Sequence, residues 1–145
     1  MAKVESKILR IIDANLNRLK EGLRVCEDIC RFILDDEFLA RSYKDIRHKV
    51  SESLEGLLNA KKIIQTRDIL KDVGKKSVKL EFKRKDFKDV FIANVQRSKE
   101  SLRVIEEFNK LFDKNTAQQF KILRYKIYDL EKKTFEKIQA LRHSG

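Results

Sequence analysis

The chain contains no proline and no tryptophan, and only four glycines and two cysteines among its 145 residues. Without proline, nothing in the chain breaks a helix by removing a backbone donor. So few glycines leave little of the turn chemistry that an all-β chain needs. No apolar run approaches the ~20 residues of a membrane span. The N-terminal stretch MAKVESKILR lacks the apolar block of a secretory signal, so the expected location is cytoplasmic. Cys26 and Cys30, four residues apart on an apolar stripe, would then stay reduced. As metal ligands they would need His48 and His143 as partners, so core thiols are the simpler reading. No Ser-His-Asp set, HExxH, nucleophile elbow, Walker motif or dinucleotide fingerprint is present.

What is present is charge and helical period. Charged residues make up 39% of the chain and hydrophobic ones 41%, with a formal net charge of +11. That excess asks for an anionic partner without choosing among nucleotides, phosphorylated metabolites, nucleic acids and membrane surfaces. Aromatic content is 8%, and no strand interleaves basic with aromatic residues. Nucleic-acid binding therefore has net charge alone behind it.

The stretch Asn15–Phe32, NLNRLKEGLRVCEDICRF, returns as Asn94–Leu111, NVQRSKESLRVIEEFNKL. Leu16, Leu19, Leu23, Cys26, Cys30 and Ile33 recur at steps of three and four, a stripe aimed at a core. Arg18, Glu21, Val25 and Asp28 line one flank, and Lys20, Arg24, Glu27 and Arg31 the far side. Asn15, Arg18, Glu21, Arg24 and Glu27 reappear as Asn94, Arg97, Glu100, Arg103 and Glu106. Core positions are expected to repeat in a duplicated helix; polar positions on a solvated face are not.

The period predicts one all-α domain, an antiparallel bundle of two duplicated helical hairpins. Its helices are expected at about 3–34, 37–64, 85–112 and 116–141, with Asp35 or Asp36 capping the second. Phe38, Leu39, Ile46, Val50 and Leu54 are expected on the buried side of that second helix. In the fourth helix Lys121, Arg124 and Ile127 repeat Lys44, Arg47 and Val50 of the second. A linker at 65–84 separates the halves, and Ser77–Phe82 alternates as a short extended piece would. Long connections of this kind tend to be functional. It holds Arg67, Asp68, Asp72 and Gly74, two aspartates four apart beside cations and a glycine.

Two readings of the repeated charges stand open. One is ion pairing within helices or between the halves, worth a few tenths of a kcal/mol per exposed pair. The other is a pocket between the hairpins, in which arginines grip phosphate oxygens and carboxylates hold Mg²⁺ or a hydroxyl. The linker aspartates are equally open between a metal–phosphate clamp and helix caps.

The blocks RIIDANLNRLKEGLRVCEDICRFILDD, IRH, RDILKDVG, DVFIANVQRSKESLRVIEEFNKL and LRYKIYDLEKK occur in that order from about Arg10 to Lys133. Together they resemble the helical domain often fused in front of bacterial thiamine-phosphate synthase, regarded as an alternative hydroxymethylpyrimidine phosphate kinase. The resemblance implies ATP- and Mg²⁺-dependent phosphorylation of a pyrimidine monophosphate to the diphosphate. It implies phosphate or substrate binding by Asn15, Arg18, Arg24, Arg47, His48, Arg67, Gly74, Asn94, Arg97, Arg103 and Arg124. Asp68 and Asp72 would hold Mg²⁺, and Glu21 or Glu100 would orient the substrate. A synthase barrel needs ~200 or more residues, so the condensation itself is not expected of these 145 residues. The alternative is a non-catalytic module that binds a phosphorylated ligand or docks onto a separate synthase. A homodimer is a further expectation, and a membrane partner is not.

Overall fold

A computed structural model describes residues 2–55 and 83–144, and every regular element there is helical. Helix α1 spans Ala2–Asp28 and passes directly into a π-helical turn, Ile29–Ile33; α2 spans Glu37–Glu55. Helix α3 spans Phe87–Asn109 and α4 spans Lys114–Ser144. The expected extended piece at Ser77–Phe82 and the last turns of the second helix lie outside the described residues. So does most of the linker; Lys83 and Arg84 precede α3 without helical structure. Among the described residues no helix is long and apolar enough to cross a membrane.

The helix starts follow from local chemistry. Asp36, not Asp35, caps α2: its Oδ1 accepts the Leu39 N–H at 2.9 Å. Asp35 takes the left-handed backbone (φ 51°) that turns the chain into the cap, a conformation Asp tolerates better than most residues. At α3, Asp86 Oδ1 accepts the Asp89 N–H while Asp89 Oδ2 accepts the Lys85 N–H, each at 3.1 Å. This reciprocal arrangement satisfies one free donor of the first turn and the N–H just before the cap. Helix α3 ends at Asn109, short of the expected Phe112, and α4 begins at Lys114 instead of Thr116. The turn closes where the N–H groups of Phe112 and Asp113 both reach the Asn109 carbonyl.

The π turn explains the one departure of the apolar stripe. A wider turn shifts every following side chain around the helix axis. Leu34 is thereby buried in place of Ile33, which is exposed. Phe38, expected inward, is 65% exposed and lies beneath the Lys133 ammonium.

Each hairpin is antiparallel, the first through its three-residue join and the second shown by the Asp86–Arg142 ion pair between opposite ends of its helices. The hairpins meet where α1 crosses α3. Gly22 makes this possible: a Cβ there would fall 2.4 Å from Ser98 Oγ and 2.8 Å from the Asn94 carbonyl oxygen. Exchanging the halves maps Gly22 and Asn94 onto Ser101 and Asn15, which also border one groove. The crossing thus sits near an approximate two-fold axis. On the opposite side, Thr134 of α4 ties the hairpins together. Its hydroxyl donates to Leu130 O at 2.7 Å and is 2.8 Å from the buried Tyr43 hydroxyl.

Cys26 and Cys30 are free and buried in this core, and the described residues hold no His/Cys/Asp/Glu group fit for a metal ion. Burial pushes both thiols up, Cys30 to about 11. The sign is fixed: the folded state favours the protonated thiol, so its contribution is complete below the ordinary value of 9.0. Stability should therefore fall as pH climbs from about 9 to 11. Native protein at pH 8 should leave both thiols unlabelled by a thiol reagent, and denaturant should expose two equivalents. Rapid native labelling would contradict the buried placement.

Candidate functional site

The duplicated charges divide into two groups, one spent inside the structure and one left on a groove. Glu27, expected on the far side of α1, is buried and accepts from Arg47 of α2 at 3.0 Å. The repeat reproduces this in α3 and α4, where buried Glu106 accepts from Arg124 Nε at 2.8 Å. Arg124 also donates to the Tyr128 hydroxyl at 3.1 Å, and the neighbouring Glu106 carboxylate holds its guanidinium protonated well beyond its ordinary range. The resemblance implies phosphate or substrate binding by Arg47 and Arg124; the structure places both in ion pairs that fasten each hairpin. That role could have been found in the sequence, because Glu27 and Arg47 repeat together as Glu106 and Arg124.

Other named residues are likewise engaged locally. Arg24 pairs with Asp28 along α1 at 3.6 Å, and Arg103 reaches Glu106 at 3.2 Å and Glu107 at 2.9 Å. Asn15 donates its side-chain N–H to Ile11 O and Asn94 to Val90 O, each at 2.8 Å. These two bonds are copies of each other, placing both amides against the helix they belong to. The Asn94 carbonyl additionally accepts from Ser98 Oγ at 2.9 Å, at the helix crossing. His48 is exposed on α2. Arg67, Asp68, Asp72 and Gly74 lie outside the described residues.

The second group forms a groove of about 540 Å³ along the crossing of α1 and α3. Asn15 and Arg18 come from the first half, and Arg97, Glu100 and Ser101 from the second. Four of the residues selected from the repeated text therefore meet in one place. Arg18 and Arg97 are exposed and form no ion pair with any described residue. Glu100 accepts from Gln96 at 3.0 Å along its own helix. Ile92, Ala93 and Val104 supply the apolar part of the wall. The groove can thus offer two guanidinium forks, one carboxylate and an apolar surface to a flat, anionic small molecule. Gln96, Ser101 and Ala93 were not selected from sequence. Their small or neutral side chains carry no chemical signature; all three lie on α3, and the helix crossing is what sets Asn15 and Arg18 of α1 beside them.

For a Mg²⁺–nucleotide, the described residues offer cations to the phosphates but no cluster of carboxylates fit to be the metal's main ligands. The metal would be carried chiefly by the phosphate oxygens themselves.

Comparison with known proteins follows the same boundaries. Residues 10–133 match the ThiD2 family. The chain is 38% identical over 130 residues to a thiamine-phosphate synthase of Nostoc punctiforme, covering 89% of this chain and 36% of that one. It is 41% identical over 125 residues to a thiamine-phosphate synthase of Synechocystis sp., covering 86% and 35%. A thiamine-phosphate synthase of Rhodopirellula baltica is 37% identical over 130 residues, covering 88% and 34%. The chain thus spans about a third of the length of these relatives. No solved structure matches. By the span of the match and the identity to these relatives, the chain belongs to the ThiD2 family.

Proposed function

We propose that the chain acts in thiamine biosynthesis by binding a phosphorylated pyrimidine in the α1–α3 groove, and that its reaction is ATP-dependent phosphorylation of hydroxymethylpyrimidine phosphate to the diphosphate. The observation that carries this reading is the pair Arg18 and Arg97, two guanidinium groups from opposite halves that form no ion pair with any described residue and line one groove beside Glu100.

The chemistry suits such a site. The attacking atom is a phosphate oxygen of the monophosphate, already anionic, so no base has to remove a proton. A bond forms between that oxygen and the γ-phosphorus of ATP; the bond from the γ-phosphorus to the bridging oxygen breaks, and ADP leaves. The obstacle is bringing two anions together, and cationic side chains that screen and align them supply what the transfer requires. Arg18 and Arg97 would hold the acceptor phosphate. Glu100 would accept a hydrogen bond from the pyrimidine's exocyclic amine. Mg²⁺, when bound with the nucleotide, would neutralise charge on the transferred group.

A second reading has one observation in its favour: the relatives named thiamine-phosphate synthase are about three times the length of this chain. The chain would then be a ligand-binding module that docks onto a synthase.

Calorimetric titration with hydroxymethylpyrimidine phosphate and with ATP–Mg²⁺, followed by a turnover assay on the same sample, separates the readings. Saturable binding of both and formation of the diphosphate are expected; binding without turnover would leave only the module. Arg97→Ala should weaken binding of the monophosphate by ten-fold or more, the scale of one lost charge-assisted contact of about 1.5–3 kcal/mol. Its melting temperature should stay within a degree or two, because Arg97 makes no ion pair with the described residues. Unchanged affinity would remove the groove from consideration.

A further inference from the structure

The duplication places a second cavity in each hairpin, beside its buried Glu–Arg pair, and the two cavities have diverged in charge. In the first, of about 460 Å³, the carboxylates of Glu27, Asp35 and Glu37 balance Arg31, Arg41 and Lys44. In the second, of about 600 Å³, Arg103, Lys110, Lys114, Lys121 and Arg124 surround the single carboxylate of Glu106. The lining positions correspond: Glu106 repeats Glu27, Lys110 repeats Arg31, Ala117 repeats Ala40 and Lys121 repeats Lys44. The largest change is Lys114, which stands where the first hairpin has Glu37.

Local stability does not account for that change. Glu37 lies in the first turn of α2, where a carboxylate is favoured by the helix dipole. Lys114 lies in the first turn of α4, which contains no acidic residue. A cation there adds to the partial positive charge of the helix end instead of offsetting it. Glu106 is already bonded to Arg124 and Arg103, and the neighbouring Glu107 to Arg103 and Lys110. Lys114 and Lys121 form no ion pair with any described residue. A concave wall with this surplus concentrates anions more strongly than the same charges on a convex surface. At the cavity's edge Tyr125 is 56% exposed. Its ring is held edge-on by Tyr128 at 5.7 Å and flanked by the Arg124 guanidinium at 5.2 Å.

We infer that the second hairpin's cavity is an oligophosphate-binding site and that its counterpart in the first hairpin, neutralised by Glu37 and Asp35, is not. Lys114, Lys121 and Arg103 contact the phosphate chain; Arg124, fixed by Glu106, shapes the floor. Tyr125 offers its free face to an aromatic base when the phosphate chain belongs to a nucleotide. The inference rests on the proposed phosphotransfer only in naming where a nucleotide's phosphates would sit. Binding of inorganic triphosphate tests it without any turnover.

The experiment is titration of the full chain with inorganic triphosphate and with ATP at fixed ionic strength, followed by calorimetry. Unmodified protein should bind triphosphate at one site. Lys114→Glu and Lys121→Gln should each weaken it ten-fold or more, with the helical circular dichroism unchanged. The matched change in the first hairpin, Lys44→Gln, should leave affinity within two-fold. Tyr125→Ala should weaken ATP while sparing triphosphate, which separates a nucleotide from a bare phosphate chain; equal loss of both would overturn the base contact. Absence of binding would overturn the site. So would equal weakening by Lys44→Gln and Lys121→Gln, which would mean diffuse attraction by net charge. Triphosphate binding without diphosphate formation would sink the kinase and leave this site standing. Diphosphate formation with triphosphate affinity unaffected by Lys114→Glu and Lys121→Gln would do the reverse.

Discussion

Arg47→Ala should destabilise the protein by about 3–5 kcal/mol, the cost of leaving a buried carboxylate without its partner. Glu27 and Arg47 are both largely buried, with side chains 7% and 16% exposed, and Arg47 is the residue that meets Glu27 across the hairpin at 3.0 Å. The duplicated pair predicts a contrast. Arg124→Ala should cost less, about 1–3 kcal/mol, because Arg103 also reaches Glu106 at 3.2 Å and can take over part of the charge. Urea unfolding of both variants measures the difference. A loss under about 1 kcal/mol for Arg47→Ala would mean that Glu27 finds water or another cation, and its assignment as a fastening residue would fall. The double variant Arg47→Met, Glu27→Leu should recover much of the loss, since a well-packed apolar pair can replace a buried ion pair.

The second large effect is expected at Gly22. Replacing glycine inside a helix ordinarily gains about 1 kcal/mol in propensity. Here Gly22→Ala should instead destabilise by about 1–3 kcal/mol, the usual range for overpacking. The added Cβ would meet both Ser98 Oγ and the Asn94 carbonyl oxygen inside contact distance. Combining it with Ser98→Ala should restore only part of the loss. The hydroxyl is removed, but the Asn94 carbonyl, at 2.8 Å, belongs to the backbone of α3 and cannot turn aside. A stabilised Gly22→Ala would show that α1 and α3 stand further apart than described. The same substitution should open or distort the groove, so any loss of ligand affinity should accompany the loss of stability.

Helix order, the hairpin duplication and most of the core stripe were legible in the sequence because they depend on periodicity and punctuation. Leu19, Leu23, Cys26 and Cys30 are buried as their spacing requires. Ile33 broke the pattern because a π turn adds a residue to one turn, and nothing in the ICRFI segment signals it; Phe38 lies off the Leu39, Tyr43, Ile46 and Val50 stripe that α2 buries. The polar residues were legible as important but not as to role. Repetition alone cannot separate Glu27 and Arg47, repeated because they lock a hairpin, from Arg18 and Arg97, repeated onto a shared groove. Burial separates them, and burial of a charged residue depends on what the opposite helix supplies. The cavity around Lys114 was hidden for the opposite reason. Its signal is a difference between the repeats at Glu37 and Lys114, and a search for what recurs passes over what has changed.

The small-residue crossing at Gly22 and Ser98 has a consequence for how the protein holds together and how it could diversify. A hairpin that packs against its own copy across a two-fold axis is the arrangement of a homodimer, stable only above its dissociation constant. With both copies on one chain, that association becomes unimolecular and survives any dilution. Symmetry is then no longer enforced. In a dimer of identical subunits, a lysine in place of Glu37 would alter both cavities at once; in the duplicated chain, one half can carry the glutamate and the other Lys114.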